Sequence, residues 1–392
     1  MQKRIAVITG TRAEYGLLHR VFLELQKQPS LSPELVVTGA HLAPEYGETV
    51  REIEADGLPI TARVPILKFG SGQVATAHTA AYAMEQFTGL FSGHRPDAVL
   101  VLGDRYEIFA AASAAAMLGI PVIHISGGDV TLGAADDWYR HCITKMASLH
   151  FPSCAEYARR LVRMGEDPAR VHNVGGLGDE NIRKMPRMPL DEIAESIGFS
   201  LDAPYALVTF HPETAGAASP LAQMEQLLAA MEQMQDMRWI ITKANADAGG
   251  EGLNARLERW CEGRENAILV ASLGVKRYLS AMEKAAMVVG NSSSGVVETP
   301  TFGVPAVNIG QRQAGRILCG NVLCCPAEES AILAAMQKAV SPQFTAAAHR
   351  TVSPYNGGDT ARRIAAITAK ALEDPAFAAP KGFYDGPVPD SL

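Results

Sequence analysis

The sequence lacks any long uninterrupted hydrophobic run. Apolar residues make up 47% of the 392 residues, yet no run approaches the roughly 20 residues that a membrane span needs. The apolar stretch near the amino terminus, in MQKRIAVITG, stops at Gly10-Thr11-Arg12, and no small-residue cleavage pattern follows it. We therefore expect a soluble protein that has no membrane association, and whose first apolar stretch is a buried strand.

The sequence is equally poor in cysteine patterns. Its six cysteines show neither CxxC spacing nor the density of a disulfide framework. This pattern is typical of a reducing compartment, so we expect a cytoplasmic protein. It also suggests no metal site and no haem, and we expect no cofactor.

No polybasic segment, internal repeat or low-complexity tract is present, and the formal net charge is −7. Nucleic-acid binding normally requires a basic stripe, so nucleic acid is not expected as a partner. An anionic ligand would have to be bound by a few well-placed groups.

The chain exceeds what a single hydrophobic core usually supports, which favours two domains of roughly 170 to 190 residues each. Short runs rich in Val and Ile alternate with amphipathic stretches, as in βαβ units around a parallel sheet. The Pro- and Met-rich segment KMPRMPLDEIAESIGFSLDAP interrupts this alternation and marks a boundary. We predict a first domain over 1–175, a second over 176–365, and a carboxy-terminal helix and tail over 366–392 that packs back on the first.

Eleven strands are predicted. The first domain has RIAVITG, ELVVTGA, DAVLVLGD and PVIHIS, with weaker candidates at SLHFPS and RVHNVGG. The second has YALVTFH, RWIITKA, NAILVAS, AMVVGN and PAVNIG. Predicted helices include Ala13–Gln28, Tyr106–Leu118, Leu221–Gln235 and Glu328–Val340.

Polar residues and glycines follow several of these strands, which is where open α/β sheets bind ligands. The clusters are Gly10-Thr11-Arg12, Gly103-Asp104-Arg105, Gly127-Gly128-Asp129, His211-Pro212-Glu213 and Gly290-Asn291-Ser292. Two sheets that face one another would gather all five into one cleft. This predicts an α/β protein of the GT-B class, with two Rossmann-like domains whose parallel sheets face across a cleft. Alternation alone would equally allow one larger sheet.

The segment MVVGNSSSGVVETPTFG predicts a strand, a tight turn and a short helix. Backbone N–H groups and the hydroxyls of Ser292 and Ser293 could bind a diphosphate there, and Glu298 could accept hydrogen bonds from ribose hydroxyls. The alternative is a helix N-cap in which Glu298 merely favours the helix dipole. Arg12 and Arg312 follow the first strand and the last predicted strand and are candidate phosphate clamps, although either could be a solvated loop arginine.

Three aspartates follow strands of the first domain: Asp104, Asp129 and Asp136, the last beside Asp137. Crowded carboxylates raise one another's pKa and can supply the acid and base that elimination and hydration need. Asp129 and Asp136 could instead be helix N-caps. His211 is a further possible acid, base or phosphate donor, though a strand-end histidine is often structural.

In this order, the segments resemble the hydrolysing UDP-N-acetylglucosamine 2-epimerases of bacterial sialic-acid synthesis. The matching stretches are TGTRAEYG, GDRYEIF, HISGGDVTLGAADDWYRHCITKM, TFHPET, NADAG, GNSSSGVVE, IGQRQAGR and the closing GFYDGP. The resemblance implies a GT-B fold. It also implies loss of UDP by elimination across C1 and C2 to give 2-acetamidoglucal, and hydration to N-acetylmannosamine. Family members are usually dimers or tetramers, so a homodimer or homotetramer is expected.

The resemblance also assigns roles by position. It makes Asp104 and Asp136 catalytic carboxylates and His211 a required histidine near the diphosphate, and we also assign Asp129 to catalysis. The residues expected to contact the UDP-sugar are Arg12, Arg105, Asn245, Ser292, Ser293, Glu298 and Arg312. One departure matters: the family commonly has Gly-Gly-Glu where this chain has Gly-Gly-Asp, so the Asp129 carboxylate stands on a shorter stem.

Alternatives remain at this stage. The same motifs suit an enzyme acting on UDP-2,4-diacetamido-2,4,6-trideoxyglucose, for legionaminic acid. A GT-B glycosyltransferase and a catalytically silent sugar-nucleotide sensor share the nucleotide half of the site. A non-hydrolysing epimerase agrees less well with the GDRYE and HPET segments.

Overall fold

The structure is a computed structural model that describes residues 2–44, 48–70, 72–130, 135–212, 219–244 and 250–389. The described chain forms two compact units. Unit 1 comprises the described residues within 2–130, 135–181 and 355–389, and unit 2 comprises those within 182–354. The sequence placed these limits at 175 and 365, whereas the units change at 181 and 354. No helix in the described ranges is both long enough and apolar enough to cross a membrane.

Unit 1 is built on a six-stranded parallel sheet in the order β3-β2-β1-β4-β5-β6. Its strands are β1 Lys3–Thr9, β2 Leu31–Thr38, β3 Ile60–Val64, β4 Ala98–Leu102, β5 Val122–Ile125 and β6 Ala147–Phe151. Its helices are α1 Arg12–Gln26, α2 Val50–Ala55, α3 Gln73–Gly93, α4 Tyr106–Met117, α5 Ala135–Met146 and α6 Ala155–Arg163. Helix α7, Leu177–Lys184, begins in unit 1 and ends in unit 2.

Unit 2 repeats the architecture, with a parallel sheet in the order β12-β11-β10-β7-β8-β9. Its strands are β7 Tyr205–Thr209, β8 Arg238–Thr242, β9 Ala267–Val270, β10 Met287–Gly290, β11 Ala306–Ile309 and β12 Val322–Cys325. Its helices are α8 Leu190–Ile197, α9 Pro220–Glu232, α10 Gly250–Cys261, α11 Gly274–Lys284, α12 Ser294–Val297, α13 Thr299–Phe302, α14 Glu329–Ala339 and α15 Pro342–Ala348. The two parallel Rossmann-like sheets of the predicted GT-B class are therefore confirmed.

The structure differs from the predicted strands in two respects. First, RVHNVGG was predicted as a strand but forms none, since only Val171 makes an isolated bridge to His150. Second, the edge strands β3 and β12 were not predicted. Strand β3 is only intermittently buried and β12 is at most half-buried, so neither carries a continuous apolar run.

The last helix, α16 (Thr360–Glu373), belongs to unit 1. Its apolar face, including Ala361, Ile364 and Leu372, joins the core that also contains Leu18 and Phe22 of α1. One layer of unit 1 is therefore completed by residues from the far end of the chain.

In both units the strand order reverses beside the first strand of the sheet. The neighbours at this point are β1 and β4 in unit 1, and β7 and β10 in unit 2. A crevice opens at the carboxyl ends of such strands, where the following loops diverge in opposite directions, and ligands of doubly wound sheets bind there. In each unit, the residues that follow these two strands are therefore the candidates for a ligand-binding site.

Candidate active site

In unit 1, Asp104 lies in the short turn between β4 and α4, directly at the switch point. Its carboxylate forms an ion pair with Nη2 of Arg140, whose side chain is 6% exposed. Nη1 of the same guanidinium donates to the Asp129 carbonyl at 3.0 Å and to Asp137 Oδ1 at 3.3 Å. Arg140, on the second turn of α5, thus connects this helix to the loops that follow β4 and β5.

Asp136 lies in the first turn of α5, one helical turn before Arg140. Part of the group remains accessible, but desolvation of its carboxyl group raises its pKa, and the negative charge of Asp104 raises it further. The positive charges of Arg105 and Arg140 oppose this shift. The carboxyl group of Asp136 therefore retains a proton to higher pH than an ordinary aspartate, as a general acid needs.

The loop that carries Asp129 is held closely against its neighbours. A Cβ on Gly128, whose φ is +87°, would lie 2.6 Å from the Tyr157 carbonyl oxygen, and a Cβ on Gly127 would lie 3.0 Å from His124 Nδ1. Arg160 also donates a hydrogen bond to the Gly128 carbonyl. This close packing fixes the backbone from which the shorter Asp129 side chain projects.

The two arginines assigned to UDP-sugar binding in unit 1 are placed differently. Arg12 begins α1, is largely exposed, and pairs with Glu52 Oε2 at 3.0 Å. Arg105 precedes α4 and donates from Nε to Glu107 Oε1 at 2.6 Å. Burial lowers the pKa of Arg105, but the Glu107 carboxylate more than offsets this effect. Arg105 is thus a permanent cation beside the acids, whereas Arg12 occupies a solvent-facing position.

In unit 2, His211 and Asn291 join the ends of β7 and β10. The His211 amide donates to Asn291 Oδ1 at 2.7 Å, and Asn291 Nδ2 donates back to the His211 carbonyl at 2.9 Å. The Asn291 carbonyl accepts from Arg312 Nη1 at 3.3 Å and from Gln313 Nε2 at 2.9 Å. Three of the predicted strand-end segments therefore meet around one buried asparagine.

The serine turn follows β10 without the conventional capping arrangement. Ser293 is the residue that precedes α12, yet its side chain makes no capping hydrogen bond within the described part of the chain. Ser294 Oγ instead lies 2.6 Å from the hydroxyl of Tyr278 and 3.3 Å from Ser292 Oγ. The local geometry therefore does not support the interpretation of Ser293 as a helix N-cap.

Glu298 follows the short helix α12 and precedes α13, so it lies at the amino-terminal end of α13 and not of α12. Burial raises its pKa to about 7. Its carboxylate in turn adds to the burial effect that raises the pKa of Tyr278 to about 12. Gly290, Ser292, Gly295 and Asn308 help line a small cavity beside this turn.

Sequence reasoning missed several residues of these clusters. Arg140, Glu14 and Glu107 in unit 1, and Gln313 and Tyr278 in unit 2, were not singled out. The Thr11–Glu14 capping box was readable from the TRAE spacing and is formed. Asn245, a predicted UDP contact, lies outside the described residues.

Within the described ranges, no group of three His, Cys, Asp or Glu side chains could hold a metal ion. The charged groups of the two clusters are instead arginines and carboxylates.

The chain is similar to known proteins both in sequence and in fold. The family model described as UDP-N-acetylglucosamine 2-epimerase matches residues 23–369. A Campylobacter jejuni protein named GDP/UDP-N,N'-diacetylbacillosamine 2-epimerase (hydrolyzing) is 38% identical over 82% of this chain and 84% of its own length. An Escherichia coli protein named polysialic acid biosynthesis protein P7 is 36% identical over 90% of each chain. The crystal structure of a Neisseria meningitidis UDP-GlcNAc 2-epimerase bound to UDP-GlcNAc matches with a TM-score of 0.79 and 18% identity, over 94% of this chain and all of that one.

Proposed function

Because the chain belongs to the UDP-N-acetylglucosamine 2-epimerase family, we propose that it is the hydrolysing enzyme that converts UDP-N-acetylglucosamine to N-acetylmannosamine and UDP. The observation that supports this most directly is the cluster of Asp104, Asp136 and Asp129 at one sheet edge, with Arg140 connecting its parts. Epimerisation at C2 with loss of UDP from C1 needs acid and base groups at both carbons, and this cluster offers them.

The first chemical step is an elimination. The C1–O bond breaks and its electron pair leaves with UDP, a carboxylate accepts the C2 proton, and a C1–C2 double bond forms. Asp104, in an ion pair with Arg140, is our candidate for the base. The contact with Arg140 holds the Asp104 carboxylate at the carboxyl end of β4.

The second step hydrates the glucal. C2 receives a proton on the opposite face, which inverts its configuration, while the oxygen of a water molecule bonds to C1 and releases a proton. Asp136 is our candidate for the acid, because desolvation and Asp104 raise its pKa. Asp129 is our candidate for steering the water. Summed over both steps, UDP-N-acetylglucosamine and water give N-acetylmannosamine and UDP.

We assign nucleotide binding mainly to unit 2. Arg312, Ser292 and Ser293 are proposed to bind the diphosphate, with His211 nearby, and Glu298 to accept hydrogen bonds from the ribose. Arg12, Arg105 and Asn245 are proposed as further contacts to the UDP-sugar. The support for this assignment is the network around Asn291, which joins three strand-end segments.

We further propose that the enzyme acts in the cytoplasm as a homodimer or homotetramer and feeds the synthesis of a sialic-acid-type sugar. All six cysteines are free thiols, which agrees with a reducing compartment. The relative named for polysialic acid biosynthesis supports the sugar class.

A second substrate has specific support. The Campylobacter jejuni relative at 38% identity is named for N,N'-diacetylbacillosamine, which is the 2,4-diacetamido-2,4,6-trideoxy sugar. This substrate carries the same C1 and C2 chemistry, so the aspartate cluster serves either one.

The test is to incubate the protein with each UDP-sugar separately and to identify the released sugar and UDP. Release of N-acetylmannosamine from UDP-N-acetylglucosamine is expected. Turnover of the diacetamido sugar alone would transfer the proposal to that substrate. Retention of UDP on the product, or no turnover of either compound, would contradict the hydrolysing function.

A further inference from the structure

The guanidinium of Arg105 is held along one edge and open along the other. Its Nε donates to the buried Glu107 at 2.6 Å, while the side chain of Arg105 is 43% exposed. The two Nη nitrogens have no hydrogen-bond partner within the described part of the chain. Arg105 and Glu107 both act electrostatically on Asp136, so the pair lies close to the cluster of proposed catalytic acids.

Burial of Glu107 is costly and calls for a physical reason. The side chain is 1% exposed, and its Oε2 has no hydrogen-bond partner among the residues that the structure describes. A buried carboxylate is tolerated only when it is paired with a cation and hydrogen-bonded. A carboxylate in the first turn of α4 would favour the helix dipole equally well from an exposed position. The dipole therefore does not account for the burial, whereas the pairing with Arg105 does.

Backbone from two neighbouring strand ends fixes the Glu107 side chain. A Cβ on Gly10, after β1, would lie 2.9 Å from Glu107 Cγ and 3.0 Å from Oε1. A Cβ on Gly39, after β2, would lie 3.4 Å from Oε1. The two glycines thus border a slot that accommodates this carboxylate, and a side chain at Gly10 would displace it.

A second buried acid, Glu14, lies beside the pair and is hydrogen-bonded to the backbone rather than to Arg105. Its Oε2 accepts hydrogen bonds from the amides of Gly10 at 2.8 Å and Thr11 at 3.2 Å. Burial, and then the negative charge of Glu107, raise the pKa of Glu14 to about 8. Glu14 is therefore largely protonated at neutral pH, and Glu107 is the acid that accepts the hydrogen bond from Arg105.

We propose that Glu107 is a positioning residue, which holds the Arg105 guanidinium so that its Nη edge is presented to the UDP-sugar. The inference rests on the proposed function, because it assigns Arg105 to the substrate. The Glu107 side chain is only 1% exposed, so it is not itself available to contact a ligand. Its effect on the substrate therefore passes through Arg105.

The first test replaces Glu107→Gln, which keeps the shape of the side chain and removes its charge. We expect KM for the UDP-sugar to rise about tenfold, the scale of one weakened charged hydrogen bond, while kcat changes less than about threefold. The matched control is Glu225→Gln in unit 2, where Glu225 pairs with Arg256 at 2.6 and 2.8 Å. This control should leave both constants unchanged. A merely structural role would reduce the active fraction, and so lower apparent kcat with KM unchanged.

A second variant displaces Glu107 without altering it. Gly10→Ala places a methyl group against the Glu107 side chain, whereas Gly16→Ala, in α1, meets nothing within 4 Å. Gly10→Ala should raise KM in the same direction as Glu107→Gln, and Gly16→Ala should not. This pair decides the question even if Glu107→Gln does not fold.

The last measurement is a double-mutant cycle with Arg105→Gln. If Glu107 acts through Arg105, then Glu107→Gln causes no further loss of kcat/KM in the Arg105→Gln background. An equal loss with and without Arg105 would overturn the proposal. Calorimetric affinity for the UDP-sugar gives the same comparison without turnover. Binding without turnover would therefore refute the proposed function and still decide the role of Glu107, while absence of binding would overturn both.

Discussion

The three aspartates of unit 1 are the residues on which turnover should depend most directly. We expect Asp104→Asn, Asp129→Asn and Asp136→Asn each to reduce kcat by about a hundredfold or more, the usual scale of lost general acid or base catalysis. Each change removes a group that accepts or delivers a proton and leaves the nucleotide contacts of unit 2 in place. Steady-state turnover and calorimetric UDP affinity measure the two effects separately.

Asp202→Asn is the control for these aspartates, because Asp202 is exposed in unit 2 and pairs with Arg238. It should leave kcat unchanged. Deuterium from solvent should also appear at C2 of the N-acetylmannosamine formed in D2O. Product that retains its original C2 hydrogen would rule out the elimination and hydration route.

The protonated state of Glu14 predicts a pH dependence of stability. Its folded-state pKa, about 8, lies above the ordinary value of 4.5. The folded protein therefore binds this proton more tightly than the unfolded chain, and the resulting stability is complete below pH 4.5 and is lost as the pH rises through 8. The slope is about 1.4 kcal/mol for each pH unit between these values.

Glu14→Gln should remove this slope, because a neutral amide occupies the same place at every pH. Denaturant unfolding of both proteins between pH 5 and 8.5 measures the difference. Parallel stability curves for the two proteins would show that Glu14 is ionised in the folded state.

At the scale of elements, the contact between β10 and β7 depends on Gly290. Its φ is +135°, and a Cβ would lie 2.0 Å from the Thr209 carbonyl oxygen. Gly290→Ala therefore combines backbone strain with a backbone clash at the strands that carry Asn291 and His211. We expect a loss of stability well above the roughly 1 kcal/mol of a strained backbone conformation alone, together with weaker UDP binding.

Gly198→Ala supplies the comparison, since Gly198 has a φ of +64° at the end of α8 and a methyl group added there would meet nothing within 4 Å. It carries the strain without the clash. Thermal unfolding of both variants measures the difference. If the two variants lose the same amount of stability, the close approach of β10 and β7 at Gly290 does not add to the cost of the substitution.

For the whole molecule, we expect UDP release to proceed without a divalent cation. Arginine guanidinium groups, serine hydroxyls and backbone amides are proposed to meet the negative charge of the diphosphate, so no metal is required for binding it. Activity should be unchanged after treatment with a chelator. Activity that is lost in chelator and regained with one divalent ion would contradict this.

The sequence was most informative where a buried strand ends in glycine and a polar side chain. Such boundaries located Asp104, Asp129, His211 and Ser292, because apolar runs and turn residues are local signals. The partners of these residues depend on tertiary packing and carry no local signal. From the sequence Arg140 looks like an ordinary helical arginine, and only the packing of α5 against α4 brings it to Asp104.

The burial of Glu107 was unpredictable for the same reason. A glutamate in the first turn of a helix has the appearance of a surface residue, and only the approach of the β1 and β2 ends encloses it. Edge strands such as β3 were missed because exposure of one side interrupts the apolar pattern. The sequence therefore predicts the strands at the centre of each sheet better than those at its edges, and it predicts which polar residues follow a strand better than which residues they contact.

Unit 1 is discontinuous in the chain, and this affects the order in which the protein can mature during synthesis. Helix α16 supplies core residues such as Ile364 and Leu372 to a layer begun by α1, with all of unit 2 between them. A ribosome releases the chain from its amino terminus, so unit 2 has every one of its strands before unit 1 has its last helix. Unit 1 is therefore synthesised first but completed last. Until α16 is synthesised, unit 1 exposes the apolar surface that this helix will cover. A nascent chain arrested once residue 354 has emerged from the ribosome, but before α16 has, should consequently bind chaperones through unit 1 while unit 2 is already resistant to protease.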